Sequence, residues 1–140
     1  MQVIVFTNES GGVSVCVPTG ELDINAVKLK DTPDHSIIVD ASTLPDADGD
    51  FFNAWELNGS TVTVSLAKAV AQQQASLNAL AKTEANHRAT NAGAGIANKL
   101  ADVDWLALLT TARAEIAAAT TTQALRDAIA PVQAAIAANA

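Results

Sequence analysis

Residues 65–91 read SLAKAVAQQQASLNALAKTEANHRATN, a stretch of 27 residues without Gly or Pro in which Ala, Gln, Leu and Lys dominate. Such residues lose little freedom in a helix, so the stretch predicts one long helix. Leu66, Val70, Gln73, Leu77, Leu80, Glu84 and His87 recur at spacings of 4, 3, 4, 3, 4, 3. That is the register of a coiled-coil seam. Its first five members, Leu66 through Leu80, form the candidate oligomerisation surface, with Gln73 as a polar layer that fixes register or oligomer state. From Glu84 onward the seam loses its apolar character and the coiled coil is expected to loosen. The other packing open to this helix is against its own N-terminal domain.

Outward from this helix the chain divides in two. From Ser65 to the end, 26 of 76 residues are Ala, whereas the first 64 residues hold only Ala26, Ala41, Ala47 and Ala54. Gly93-Ala94-Gly95 marks a helix end or hinge. Beyond it, Asp102 or Asp104 can cap a helix with the face Trp105, Leu109, Ala112 and Ile116. Thr120-Thr121-Thr122 then supplies hydroxyl N-caps for a last helix with the face Leu125, Ile129, Val132 and Ile136. The two stripes should close on each other as a helical hairpin. Pro131 removes a backbone donor inside the last helix and should kink it.

Upstream, Val3 to Phe6 and the alternating Val13, Val15 and Val17 flank the turn formers Asn8 to Gly12, which predicts a β-hairpin over residues 2–17. Leu22 to Lys30 offers one or two helical turns, with Asp23 at the start and Lys28 and Lys30 at the end, as the helix dipole favours. Ile37-Ile38-Val39 is a third strand, and Asp40 to Asp50 reads as a loop. Phe51–Leu57 and Thr61–Val64 flank Asn58-Gly59, the strongest short-range hairpin signal in the chain. The expected core of this half is Phe6, Phe52, Trp55, Leu57, Val62 and Val64. The whole is an α+β chain: an acidic α+β head over residues 1–64, a long helix over 65–92, a hinge over 93–103 and a helical hairpin over 104–140.

Charge narrows the functional classes. Residues 1–56 carry ten acids against Lys28 and Lys30, while residues 57–140 carry six bases against five acids. A chain without a basic patch has nothing to neutralise phosphates, which argues against nucleic acid and against anionic membranes as partners. Cys16, the single cysteine, excludes an intrachain disulfide and reads as a small strand residue. Met1 to Phe6 lacks the pattern of a signal peptide.

The sequence carries no recognisable catalytic set and no cofactor motif. Asp46-Ala47-Asp48-Gly49-Asp50 lacks the register of a calcium loop. His35 and His87 have no ligand-spaced His or Cys, no serine lies in a nucleophile elbow, and Gly93-Ala94-Gly95 lacks the Lys-Ser/Thr of a phosphate loop. An enzyme is therefore not expected.

Val3-Ile4-Val5-Phe6-Thr7-Asn8, Gly11-Gly12-Val13-Ser14-Val15 with Pro18, Ile38-Val39-Asp40, Leu44-Pro45 and Phe52-Asn53-Ala54-Trp55-Glu56 together resemble small proteins of tailed-bacteriophage tail modules. The resemblance covers residues 1–57. It implies a non-enzymatic virion component of the tail fibre or baseplate, made in the host cytoplasm, with fibre or baseplate proteins as partners. The head would dock on them, with Phe51, Phe52 and Trp55 as candidate docking residues, and the helices would join copies into a homo-oligomer, a trimer favoured. The rival implication is a tail-fibre assembly chaperone that leaves before the virion matures.

Overall fold

A computed structural model describes all residues, Met1–Ala140. The fold is α+β and divides into two compact units, Met1–Ser65 and Leu66–Ala140, within one residue of the break in composition.

In the first unit, β1 (Gln2–Thr7) is the centre of a three-stranded antiparallel sheet, with β2 (Val13–Cys16) on one side and β3 (Ile37–Asp40) on the other. β1 is paired along both edges, and its successive side chains Val3, Ile4 and Val5 are all buried, so both of its faces are covered. The β1–β2 turn is built by Asn8, whose Oδ1 accepts from the Ser10 and Gly12 amides at 3.1 and 3.0 Å, while Gly11 takes the positive φ of 82° that a side chain resists. Helix α1 (Ile24–Asp31) starts where the Asp23 carboxylate accepts from the Asn25 amide at 2.9 Å, and it lies against β1.

The segment expected to be a loop is ordered as 3₁₀ turns over Ala41–Thr43 and Asp46–Ala54, the second span kinked where the backbone leaves helical geometry at Asp48 and Phe51. The strand expected from Phe51 therefore starts only at Trp55. A second sheet pairs β4 (Trp55–Asn58) with β5 (Thr61–Val64), in the register Trp55↔Val64 and Leu57↔Val62. Val3, Val5, Val13, Trp55 and Val62 form the core, with Leu57 and Val64 packed partly buried against it. The hairpin turn is Gly59-Ser60, one residue later than the Asn-Gly signal suggests, because Asn58 still pairs with Thr61. Gly59 at φ 63° takes the first turn position and Ser60 keeps a negative φ, the pattern of a type II′ rather than a type I′ turn.

The second unit is three helices: α2 (Leu66–Ala94), α3 (Asp102–Ala118) and α4 (Thr122–Asn139). The α3–α4 hairpin forms as expected, and α2 lies against both its members. Trp105, Leu109, Ala112 and Ile116 meet Leu125, Ile129 and Val132 in the interior, with Ile136 half-buried. Helix α2 ends in a Schellman motif, in which the Ile96 amide reaches the Asn91 carbonyl at 2.8 Å and Gly95 holds a φ of 71°. Ala101, not an aspartate, is the N-cap of α3, leaving Asp102 and Asp104 in its first turn, where the helix dipole favours acids. Thr121 caps α4 through the Ala124 amide at 3.1 Å. Pro131 lies inside α4 on its exposed side, where the carbonyl deprived of an amide partner can reach water.

Candidate functional site

The three candidate docking residues separate in the first unit. Phe51 is 2% exposed and Trp55 4%, whereas Phe52 is 40% exposed. The sequence reading puts Phe52 in the core together with Trp55 and Leu57, and the structure corrects this. Residues three apart share a side in a 3₁₀ turn, so Ala54 goes in with Phe51 while Phe52 and Asn53 stay out. Trp55 is a core residue whose indole Nε1–H donates to the Asp48 carbonyl at 3.2 Å. Phe52 lies against its ring with 4.9 Å between centroids. Of the three, only Phe52 offers substantial surface to a partner.

The candidate oligomerisation residues separate as well. Leu66 is exposed, Val70 and Leu80 are half-buried, and Gln73 and Leu77 are buried within their own unit. The polar layer finds its partner in the same chain: Gln73 Nε2 donates to the Leu125 carbonyl of α4 at 2.9 Å. A long helix whose inner face carries Ala69, Gln73 and Leu77 needs neighbouring area. The hairpin that follows it supplies that area.

Beyond Leu80 the inner face does not loosen, contrary to expectation. Glu84, Arg88 and Asn91 continue it and are all buried. Glu84 Oε1 accepts from Arg88 Nε at 3.0 Å and from Asn139 Nδ2 at 2.6 Å. Arg88 Nη1 donates to the Leu100 carbonyl and to Asp102 Oδ1, both at 2.8 Å, and the guanidinium lies 5.3 Å from the centroid of the Trp105 ring. Asn139 Oδ1 accepts from the Lys99 amide at 2.9 Å, and Asn98 Oδ1 accepts from Asn91 Nδ2 at 2.8 Å. The connection expected to be a hinge is thus fastened at Asn98, Lys99 and Leu100.

His87 Nε2 lies 3.0 Å from the Asn139 carbonyl oxygen, which can only accept, so this bond places the proton on Nε2. The Asn91 amide, 3.3 Å from the same nitrogen, then serves Asn98 rather than His87. A cavity of about 180 Å³ beside the cluster is lined by Thr83, Glu84, His87, Ile136 and Ala140.

Chemically, the cluster is a clasp. It neutralises one buried carboxylate with one guanidinium and ties the last turn of α4 to α2 and to the α2–α3 connection. Its sequence signal was present: Glu84 and Asn91 sit seven and fourteen residues after Leu77, at positions a buried seam would use. Polar side chains at core spacing can mark a buried network as well as the end of a seam. The acidic run at Asp46–Asp50 belongs to the second 3₁₀ stretch, with the Asp48 carbonyl engaged by Trp55. His35 is remote from His87 in sequence, and its Nε2 donates to the Thr7 carbonyl at 3.1 Å, since a carbonyl oxygen can only accept. No protein-family model matches this chain, and no characterised protein or solved structure is significantly similar to it.

Proposed function

We propose that this chain is a non-enzymatic structural component of a bacteriophage tail, in the fibre or baseplate. Its acidic N-terminal unit docks on a tail protein, and its helical unit joins neighbouring copies, a trimer favoured. The observation that supports this reading is the placement of the phage-like strings: Val3–Asn8, Gly11–Val15 and Ile38–Asp40 are consecutive strands of one sheet with its first turn, in a unit with its own core. A resemblance carried by one self-contained unit fits a docking module followed by a separate body.

The geometry refines which residues serve the proposal. Phe52 is the docking residue at the surface, and Leu66, with the half-buried Val70 and Leu80, remains for contacts between copies. Mass spectrometry of purified virions carrying this tail module tests the reading, with the chain expected in stoichiometric amount. Its presence in infected lysates but absence from particles would favour the assembly chaperone and overturn the structural role.

A further inference from the structure

The β4–β5 turn joins an asparagine to a glycine, and the structure shows what surrounds their junction. Asn58 is exposed at the end of β4, and Gly59 begins the turn with φ 63°. A side chain at position 59 would meet nothing within 4 Å. The Gly59 amide donates to no protein acceptor. The Asn58 carboxamide has a single partner: its Nδ2 donates to Thr63 Oγ1 at 3.0 Å. Asn58 and Thr63 are diagonal neighbours on the outer face of the hairpin, since Asn58 pairs with Thr61 and Glu56 with Thr63. The bond therefore draws the carboxamide back along β5, away from the turn.

We propose that Asn58 is a site of spontaneous deamidation and that Thr63 is the positioning residue that sets its rate. The Gly59 nitrogen, after yielding its proton to base, attacks Asn58 Cγ and forms a new C–N bond. The Cγ–Nδ2 bond breaks, and the amide nitrogen leaves as ammonia after taking a proton from water. The resulting cyclic imide is opened by a second water molecule. Cleavage at Cγ leaves aspartate at position 58; cleavage at the main-chain carbonyl leaves isoaspartate. The sum is one water consumed and one ammonia released, with no oxidant or cofactor.

Gly59 suits the attack on three counts. It has no Cβ to crowd the approach, its nitrogen is not held in a hydrogen bond, and a turn glycine has the backbone freedom that ring closure needs. Thr63 opposes the reaction by holding the electrophile. Either product adds a negative charge to a half of the chain that already carries ten acids against two lysines up to Glu56. Isoaspartate also lengthens the main chain by one methylene at the Asn58↔Thr61 pair, beside a turn whose length sets the register that buries Trp55 and Val62.

The full chain is incubated at mildly alkaline pH and followed by peptide mapping, with fragmentation that separates aspartate from isoaspartate. Position 58 is expected to convert ahead of every other asparagine, and faster as pH rises. Thr63→Val, at an exposed position that keeps a β-branched residue, should accelerate conversion roughly two- to tenfold, the worth of one neutral hydrogen bond. Thr63→Ser should keep the native rate. In concentrated urea, wild type and Thr63→Val should convert at one common rate, because the bond exists only in the folded hairpin. Another asparagine converting first, or a folded Thr63→Val no faster than wild type, would overturn the proposal. So would a difference between the two chains that persists in urea.

Discussion

Glu84 is the residue whose environment is least forgiving. Its side chain is 2% exposed and its counter-ion Arg88 is 8% exposed. Removing one partner of such a pair strands the other as an uncompensated buried charge, which costs roughly 3–5 kcal/mol, far more than the pair itself contributes. Arg88→Met is therefore expected to lower the stability of the helical unit by about that amount in urea denaturation followed by circular dichroism. Adding Glu84→Leu should recover a large part of the loss, since the double variant leaves no buried charge. A double variant as unstable as Arg88→Met would place the cost in lost packing on Trp105 instead.

Asp40 illustrates the opposite case, a surface carboxylate with a modest role. The backbone amide of Ser42 first, then its hydroxyl, and then the Met1 ammonium favour the charged form and hold its carboxyl below the ordinary 3.8. A carboxylate depressed in the folded state contributes stability above its unfolded pKa and loses it as pH falls through the folded one. Acid titration should show this loss as pH falls below 3.8, whereas Asp40→Asn, with no carboxylate to titrate, should lack that pH dependence and be less stable than wild type at neutral pH, the difference closing in acid.

At the scale of elements, the period of α2 was legible and its partner was not. Spacing specifies which side of a helix is buried, but it carries no information on whether the covering surface comes from another chain or from later in the same one. Leu77 decides between the two. It is fully buried inside the unit, so Leu77→Ala should cost roughly 2–5 kcal/mol, the range for truncating a leucine in a packed core. Leu66→Ala, at an exposed position, should cost well under that. Because the burial is within one chain, the shift in the Leu77→Ala midpoint should not change with protein concentration; a concentration-dependent shift would mean that copies bury this face against each other.

The β elements followed a similar rule. Val3–Phe6 was readable as a β-branched run, Val13–Cys16 from alternation, and their pairing from the turn residues between them. Phe51–Ala54 was not, because a 3₁₀ stretch and a short strand leading into Trp55 share residue types and differ only in whether Ala54 or Asn53 goes inward with Phe51. The part of the clasp outside α2 was hidden for another reason: Asn98, Lys99 and Asn139 meet across 40 residues or more of sequence, which no local pattern encodes.

At the scale of the whole molecule, each unit holds one tryptophan, Trp55 in the first and Trp105 in the second, and both are 4% exposed. Each indole is buried in the core of its own unit, so its emission should report the unfolding of that unit. Trp105→Phe leaves a chain that reports the N-terminal core, and Trp55→Phe leaves one that reports the helical core. Substitutions that are far apart and share no partner act additively to within a few tenths of a kcal/mol. Placing Leu77→Ala in both backgrounds should therefore shift the urea transition seen by Trp105 to lower denaturant and leave the transition seen by Trp55 where it was. This separation follows from the sequence break at Ser65, since an acidic sheet stabilised by β-branched residues and an Ala-rich bundle held by interior leucines and a polar clasp bury different surfaces for different reasons. Equal shifts at both tryptophans would show one cooperative body, and the proposed division into a docking module and a separate association module would then have no energetic basis.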